Sequence, residues 1–363
     1  MKLVITTGFS GGHTFPALAF GSYLIRKHPG IKITYIGSEK AKEKYSYFDG
    51  LKAEEVVFFE DAPFSYRYFL KCIIINIKTF IKAYKILQYN RPDAVIGFGS
   101  YLSFPLVIVA WALRIKTVIH EQNATFGKAN KILSYLATIV AVSFEGTSKK
   151  KKNIVTGNLL RESIIDIASR QVMLRNYSEK SIFRILVLGG SQGASSINSV
   201  LLETLTTLNV DEKEQLQIIL ISGEGDYEAM KTELEKVKVN YVLFAFTEDI
   251  ALLYEKADIV IARSGSGVVF ETLAFGLPSI FIPYPHASSH QKENAYTVKR
   301  EGAAIVIEQK HLNAQRLKTE IFRLIKNKEY LQEMTERASR IRKLNGCELL
   351  ENALFEMLNK RKK

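Results

Sequence analysis

Two α/β domains, each built on a parallel sheet, are what this sequence predicts, and three observations carry the prediction. Short apolar runs closed by a glycine turn and followed by a helical pattern recur in both halves, as at Lys2–Thr6 before Gly8 and at Phe183–Leu188 before Gly189. The chain has 363 residues, long for a single core and suited to two of ordinary size. No low-complexity segment intervenes, and the only repetition is this strand and turn, which makes two similar lobes facing each other across a cleft.

The elements follow in order. Lys2–Thr6 is a strand, and Gly8-Phe9-Ser10-Gly11-Gly12-His13 turns into a helix over Pro16–Leu24. The turn does not fit G-x-G-x-x-G, and no Walker pattern occurs, so nicotinamide and ATP enzymes are disfavoured. Ile33–Ile36 and Val56–Phe59 are the next strands. From Phe64 to Leu87 the chain is strongly apolar but interrupted by Arg67, Lys71, Lys78, Lys82 and Lys85, with Leu70, Ile74, Ile77 and Phe80 at helical spacing. Such a segment can lie on an anionic membrane face with its lysines on lipid phosphates, or can be the packing helix of a Rossmann unit. Its apolar content exceeds what one face needs, which favours the membrane. Asp93–Ile96 is a strand closed by Gly97-Phe98-Gly99-Ser100-Tyr101, with a helix over Ser103–Leu113. Strand Thr117–His120 ends in Glu121-Gln122-Asn123, where open α/β sheets hold ligands, and Val140–Ser143 is the last strand before a lysine-rich approach to a linker over Lys149–Asn153.

The second lobe begins near Gly157-Asn158 and contains Arg161, and its sheet opens with Phe183–Leu188, the turn Gly189-Gly190-Ser191-Gln192-Gly193 and a helix over Ser195–Leu205. Gln217–Ser222 and Tyr241–Phe246 are strands, a helix ends near Ala257, and Ile305–Ile307 is a strand before a charged helical tail. The stretch from Asp258 to Asn294 organises this lobe: strand Asp258–Ala262, a turn at Ser264-Gly265-Ser266-Gly267, helix Val268–Phe275, and strand Ser279–Tyr284 after Gly276-Leu277-Pro278. Its small residues and helix N-terminus suit a diphosphate, and Glu271, about one turn into the helix, can accept hydrogen bonds from ribose hydroxyls. His286, His290, Gln291 and Asn294 crowd the following loop, where amides can read sugar hydroxyls or simply cap a helix.

Composition bounds the rest. With 47% hydrophobic and 24% charged residues the chain is globular, and no apolar run has the length that spans a bilayer. The apolar start at Leu3–Thr7 ends at once in a glycine, which lacks a secretory h-region and predicts a cytoplasmic chain. Cys72 and Cys347 have neither disulfide nor zinc spacing. A net charge of +13 calls for a polyanionic partner, and with no zinc-finger, RNP or basic-zipper pattern a membrane surface ranks above nucleic acid.

Taken together, Gly11-Gly12-His13 before Phe15-Pro16-Ala17-Leu18-Ala19, the turn Gly97–Tyr101, the block His120-Glu121-Gln122-Asn123, the motif Gly189-Gly190-Ser191-Gln192-Gly193-Ala194, and Arg263-Ser264-Gly265 with Glu271 resemble the MurG family of membrane-associated bacterial glycosyltransferases, over nearly the whole chain. The resemblance implies a GT-B glycosyltransferase that moves N-acetylglucosamine (GlcNAc) from UDP-GlcNAc to the muramyl 4-hydroxyl of lipid I in peptidoglycan synthesis. It implies an acceptor-binding, membrane-associating domain over 1–157, with a C-terminal helix at about 345–363 packed back on it, and a UDP-GlcNAc domain over 158–344. The donor site it implies is Ser10, Gly11, Gly12, Asn123, Arg161, Ser191, Thr247, Ser266, Gly267, Val268, Val269, Phe270, Glu271 and Gln291. Gly8, Gly11, Gly97, Gly99, Ser100 and Tyr101 would face the acceptor diphosphate, and Leu70, Lys71, Ile74, Ile77, Lys78, Phe80 and Lys82 the membrane. Its partners would be UDP-GlcNAc, lipid I, the anionic cytoplasmic membrane face and other cell-wall synthesis proteins, with no nucleic acid. Two departures stand out: the family's Gly-Gly-Thr is here Gly8-Phe9-Ser10, and its Asn-Pro is Asn158-Leu159.

Displacement at the anomeric carbon needs a base for the acceptor hydroxyl and a stabilised leaving phosphate. His13 is the first candidate base and Glu121 the alternative; helix N-termini and Ser191 can serve the leaving group, and neither a metal nor a tightly bound cofactor is expected. Retaining relatives of the fold carry E-x7-E ending where Glu271 stands, and Arg263 in the earlier position points to inversion. The rival readings are another GT-B enzyme, such as a lipid glycosyltransferase or a UDP-GlcNAc 2-epimerase, and a non-catalytic sugar-nucleotide-binding scaffold.

Overall fold

Leu3 to Thr6 are buried on both faces of β1 (Lys2–Thr6), so this strand takes the middle of a sheet, paired along both edges. The structure, a computed structural model, describes residues 1–8, 10–39, 54–59, 69–147, 153–170, 175–188, 195–285 and 290–360, with the backbone alone over 69–76. It divides into two compact units, Met1–Glu162 with Asn345–Lys363, and Ser163–Leu344.

The first unit holds β1, β2 (Lys32–Ser38), β3 (Glu55–Phe59), β4 (Ala94–Gly97), β5 (Lys116–Glu121), β6 (Ile139–Val142) and β7 (Asn153–Val155), all parallel in the order β3-β2-β1-β4-β5-β6-β7. The chain winds outward in both directions from β1 and β4. Their C-terminal ends therefore form the switch point at which open α/β sheets leave a crevice. On one face α1 (Gly11–Lys27) and the C-terminal helix Gly346–Asn359 share a core with β1, β2 and β5 through Ala17, Phe20, Leu24, Leu350 and Leu354. The other face is covered by α2 (Phe69–Asn90), α3 (Ser100–Ala112) and α4 (Lys128–Leu136) through Ala83, Leu87, Leu102, Leu106 and Leu133. Gly21 lets α1 lie close on β2: a Cβ there would sit 1.6 Å from the Tyr35 hydroxyl oxygen.

The second unit repeats the design with β8 (Phe183–Leu188), β9 (Leu216–Ile221), β10 (Asn240–Phe244), β11 (Ile259–Ala262), β12 (Ser279–Phe281) and β13 (Ala304–Val306), parallel in the order β10-β9-β8-β11-β12-β13. Here the switch point lies between β8 and β11, where Ala262 pairs with Leu188. The helices that matter for the site are α5 (Ser195–Thr206), α6 (Ile250–Lys256), α7 (Ser266–Ala274) and α8 (His290–Arg300).

Three local readings change. The helix expected from Pro16 begins at Gly11, so two glycines assigned to the turn are its first residues; Pro16 lies inside the helix and, having no N–H, leaves the Gly12 carbonyl without its intrahelical donor. Residue 153, read as approaching a linker, opens β7, an edge strand of three residues too short to show a pattern. The run Ser279–Tyr284 pairs only to Phe281, with Pro283 two residues on.

Candidate functional site

In the first unit the site is built by register. Because Thr6 pairs with Gly97, the chain leaving β1 and the chain leaving β4 emerge side by side; the Phe98 amide donates to the Thr6 carbonyl at 2.9 Å. Thr14 ties its hydroxyl to the Gly8 carbonyl at 2.9 Å, and the amides of His13 and Thr14 close on the Ser10 carbonyl. His13 lies between the two glycine turns. A Cβ on Gly99 would come within 3.2 Å of its ring, one on Gly8 within 3.4 Å, and Gly99 has φ +81°, where a side chain would be strained. Ser100 follows with φ +68° as the first residue of α3. Gly97 is inside the sheet, where its missing Cβ makes room for Val107, and the Tyr101 hydroxyl is buried without a hydrogen-bond partner.

His13 Nδ1 stands 2.9 Å from the Phe98 carbonyl and 3.1 Å from Gln122 Oε1. Neither oxygen carries a proton, so Nδ1–H is the donor and Nε2 keeps its lone pair. Glu121 is treated differently. Its buried carboxylate accepts from the Asn123 backbone amide at 3.1 Å and the Asn123 side chain at 3.1 Å on Oε1, and from the Gly127 amide at 3.0 Å and Asn130 Nδ2 at 2.9 Å on Oε2. Those four donors occupy the acceptor positions a carboxylate offers and pin the 121–130 loop. Arg161 holds its guanidinium 5.1 Å from the centre of the Phe15 ring.

In the second unit the turn after β11 is anchored from several sides. Arg263 is buried and donates to the carbonyls of Ile282 at 3.0 Å and Pro283 at 3.4 Å and to Ser196 Oγ at 2.8 Å, joining β11, β12 and α5. Ser264 donates its hydroxyl to the Gln291 carbonyl at 2.8 Å, and Asn294 returns a bond to the Ser264 carbonyl at 3.1 Å. The Tyr284 amide holds Gln291 Oε1 at 3.0 Å. Cβ atoms added to Gly265 or Gly267 would meet nothing within 4 Å, so the backbone of this turn is approachable. Val269 and Phe270 point into the core, which leaves only their backbone for a ligand. Glu271 is half-buried, and its Oε2 accepts from the Tyr254 hydroxyl at 3.0 Å. Thr247 lies in the turn that leads into α6, its Oγ1 accepting at 3.1 Å from the amide of Asp249, the residue before the helix.

Phe9, Ser191 with the rest of its motif, His286 and Lys149–Lys152 lie outside the described residues, as do the side chains of Leu70, Lys71, Cys72 and Ile74. In α2 the buried line is Thr79, Ala83 and Leu87; Ile77, Lys78 and Lys82 are exposed beside Ile81, Tyr84 and Lys85, and Phe80 is half-buried. Among the described residues no group of His, Cys, Asp or Glu is placed to hold a metal ion, and no helix is long and apolar enough to cross a membrane. Sequence reasoning missed Tyr254, Asn130 and the part Gln122 plays, since none of them sits in a motif whose spacing announces its partner.

Known proteins agree with this architecture. The model of the glycosyltransferase family 28 N-terminal domain matches residues 3–142 and that of the C-terminal domain residues 184–350. The solved structure of MurG from Acinetobacter baumannii superposes with a TM-score of 0.79 at 26% identity, covering 98% of this chain and 100% of the other. A UDP-GlcNAc 2-epimerase from Neisseria meningitidis superposes at 0.69 over 98% and 100% but with 15% identity, a likeness of fold alone. Two Rossmann-like sheets matching both halves of this family define a GT-B glycosyltransferase. A curated relative from Halothermothrix orenii, named UDP-N-acetylglucosamine--N-acetylmuramyl-(pentapeptide) pyrophosphoryl-undecaprenol N-acetylglucosamine transferase, is 35% identical over 94% of this chain and 95% of its own, and one of the same name from Caldanaerobacter subterraneus is 34% identical over 93% and 94%. The chain belongs to this MurG family of N-acetylglucosaminyltransferases.

Proposed function

We propose that the chain moves GlcNAc from UDP-GlcNAc to the 4-hydroxyl of the muramyl sugar of lipid I, with inversion at the anomeric carbon, giving lipid II. The observation that carries this reading is the likeness to transferases named for that reaction along nearly the whole length of both chains. In the proposed reaction Glu271 takes the ribose hydroxyls, Gln291 offers its amide hydrogens to the sugar, and the approachable turn before α7 takes the diphosphate at a helix N-terminus. His13 removes the acceptor proton through Nε2. This choice over Glu121 rests on hydrogen-bond capacity, since one nitrogen of His13 retains its lone pair and the Glu121 carboxylate has four donors already. The mechanism assigns no part to a metal or a tightly bound cofactor. Its acceptor being lipid-linked, the enzyme works at the anionic cytoplasmic face of the membrane, held there by the exposed side of α2.

The experiment supplies purified lipid I and labelled UDP-GlcNAc. Label carried into lipid II is the expected result. Label on another lipid, a free isomerised nucleotide, or binding without turnover overturns the reading in favour of another GT-B enzyme or a scaffold.

A further inference from the structure

Behind His13 lies a second, fully buried imidazole that the proposed reaction does not use. Gln122 Nε2 reaches the carbonyl oxygens of Phe98 at 3.1 Å and His120 at 3.2 Å, and His120 Nδ1 at 3.2 Å. His120 Nε2 lies 3.1 Å from Thr156 Oγ1 and 3.3 Å from the Gly157 carbonyl. Thr156 spends its own proton on the Gly157 carbonyl at 2.7 Å, so it can only accept from His120.

These contacts admit one arrangement of protons. Facing a carbonyl and an acceptor hydroxyl, His120 Nε2 carries the hydrogen; Nδ1 then has a lone pair, because burial keeps the ring neutral, its pKa lowered to about 4. That lone pair requires the amide nitrogen of Gln122 on its side. Were the amide turned over, its oxygen would face two carbonyl oxygens and an imidazole lone pair. With the nitrogen toward His120, the oxygen is toward His13, and His13 Nδ1 must donate to it and to the Phe98 carbonyl. When His13 takes a proton at Nε2, the same two oxygens face the hydrogen on the imidazolium and spread its charge.

We infer that Gln122 and His120 are positioning residues for the transfer: anchored on Thr156 and Gly157, they hold His13 in its Nδ1–H form so that the Nε2 lone pair is the one offered to the acceptor hydroxyl. The role rests on His13 as the base, while the tautomer itself is measured without any turnover.

The test is nitrogen-15 NMR of the full chain with labelled histidine at about pH 9, where ordinary imidazoles are neutral, the His13 signals being identified by their loss in His13→Ala. Wild type should show Nδ1 protonated and Nε2 bare. Gln122→Met, which removes the oxygen, should bring in the Nε2–H form and lower kcat about 10- to 100-fold, as loss of a residue orienting a functional histidine does, with the KM for UDP-GlcNAc within about twofold. A wild-type ring protonated at Nε2 overturns the proposal before any variant is made, and so does a His13 tautomer unmoved by Gln122→Met. If His13→Ala instead keeps its kcat while the spectra behave as expected, the base assignment fails and takes the catalytic role of Gln122 with it, and the tautomer lock stands.

Discussion

Tyr254, with no exposed surface, donates its hydroxyl at 3.0 Å to Oε2 of Glu271, a carboxylate one helix away at the edge of the open turn. The bond fixes one oxygen of Glu271 and so sets the direction in which the carboxylate points. Tyr254 is itself stacked on Phe275, ring centres 5.6 Å apart, so it cannot follow the carboxylate if that moves. Tyr254→Phe should raise the KM for UDP-GlcNAc about tenfold, the scale of one hydrogen bond to a charged group, with a smaller change in kcat. Glu271→Ala should cost more, about 2–4 kcal/mol in kcat/KM for the donor. Steady-state kinetics decide; an unchanged donor KM in a folded Tyr254→Phe would detach the pair from the donor site.

His13→Ala should lower kcat by roughly 10²–10⁴-fold, the range for loss of a general base, while calorimetry finds donor affinity near wild type. A matching loss of donor affinity would make His13 a binding residue.

Tyr35 keeps its hydroxyl buried and unpaired against Gly21. Gly21→Ala should destabilise by about 1–3 kcal/mol through overpacking, outweighing the helix propensity it gains. Adding Tyr35→Phe should recover only part of that, because the ring carbon Cζ would still lie 2.6 Å from the new Cβ. Tyr35→Phe alone should change stability by less than about 1 kcal/mol, since the hydroxyl it deletes has no partner. Thermal melts of the three variants test this, and equal loss in the single and double alanine variants would rule out the hydroxyl contact as the cause.

Glu351 anchors the C-terminal helix to α1, accepting from Tyr23 and Lys27 at 2.7 Å each and from His28. Burial pushes its carboxyl up, but bonds from His28, Lys27 and Tyr23 outweigh this and hold it below the ordinary value. A folded value that is depressed contributes stability above the unfolded pKa, about 4.3 for Glu, and loses it as pH falls through the lower folded value. Glu351→Gln should therefore cost about 1–3 kcal/mol at pH 7, and the gap to wild type should shrink as the medium is acidified below about pH 4. A gap independent of pH would mean that shape, not charge, matters at this position.

Lys78 and Lys82 are exposed on α2 beside Ile77, Ile81 and Tyr84. Reversing both to Glu should weaken flotation with anionic vesicles, each lysine contributing about 1 kcal/mol at low salt, and slow turnover of long-chain lipid I while sparing a short-chain soluble acceptor. If flotation of wild type does not depend on anionic lipid, α2 is an ordinary packing helix with its lysines in water.

Most strands and their turns were legible in the sequence because a parallel strand buried on both faces must be written as an apolar run, and a turn that brings backbone close to backbone must be written with glycine. Lys2–Thr6, Phe183–Leu188 and the glycines around them carry that information locally, as does the family motif around Glu271. What the sequence by itself could not settle is which polar group meets which. His13 and Gln122 are 109 positions apart and meet because Thr6 pairs with Gly97 and Ala94–Gly97 with Lys116–Ile119. The sequence made His13 the first candidate for the base and Glu121 the alternative, but gave no sight of their partners; only the fold surrounds one with four donors and leaves the other a lone pair. Tyr254 reads as one more apolar residue of a short helix until the fold brings its hydroxyl to Glu271. Local chemistry decides the elements, since period and turn act over a few residues, and the hydrogen bonds that select a proton position are decided by sheet register, which is set across a hundred.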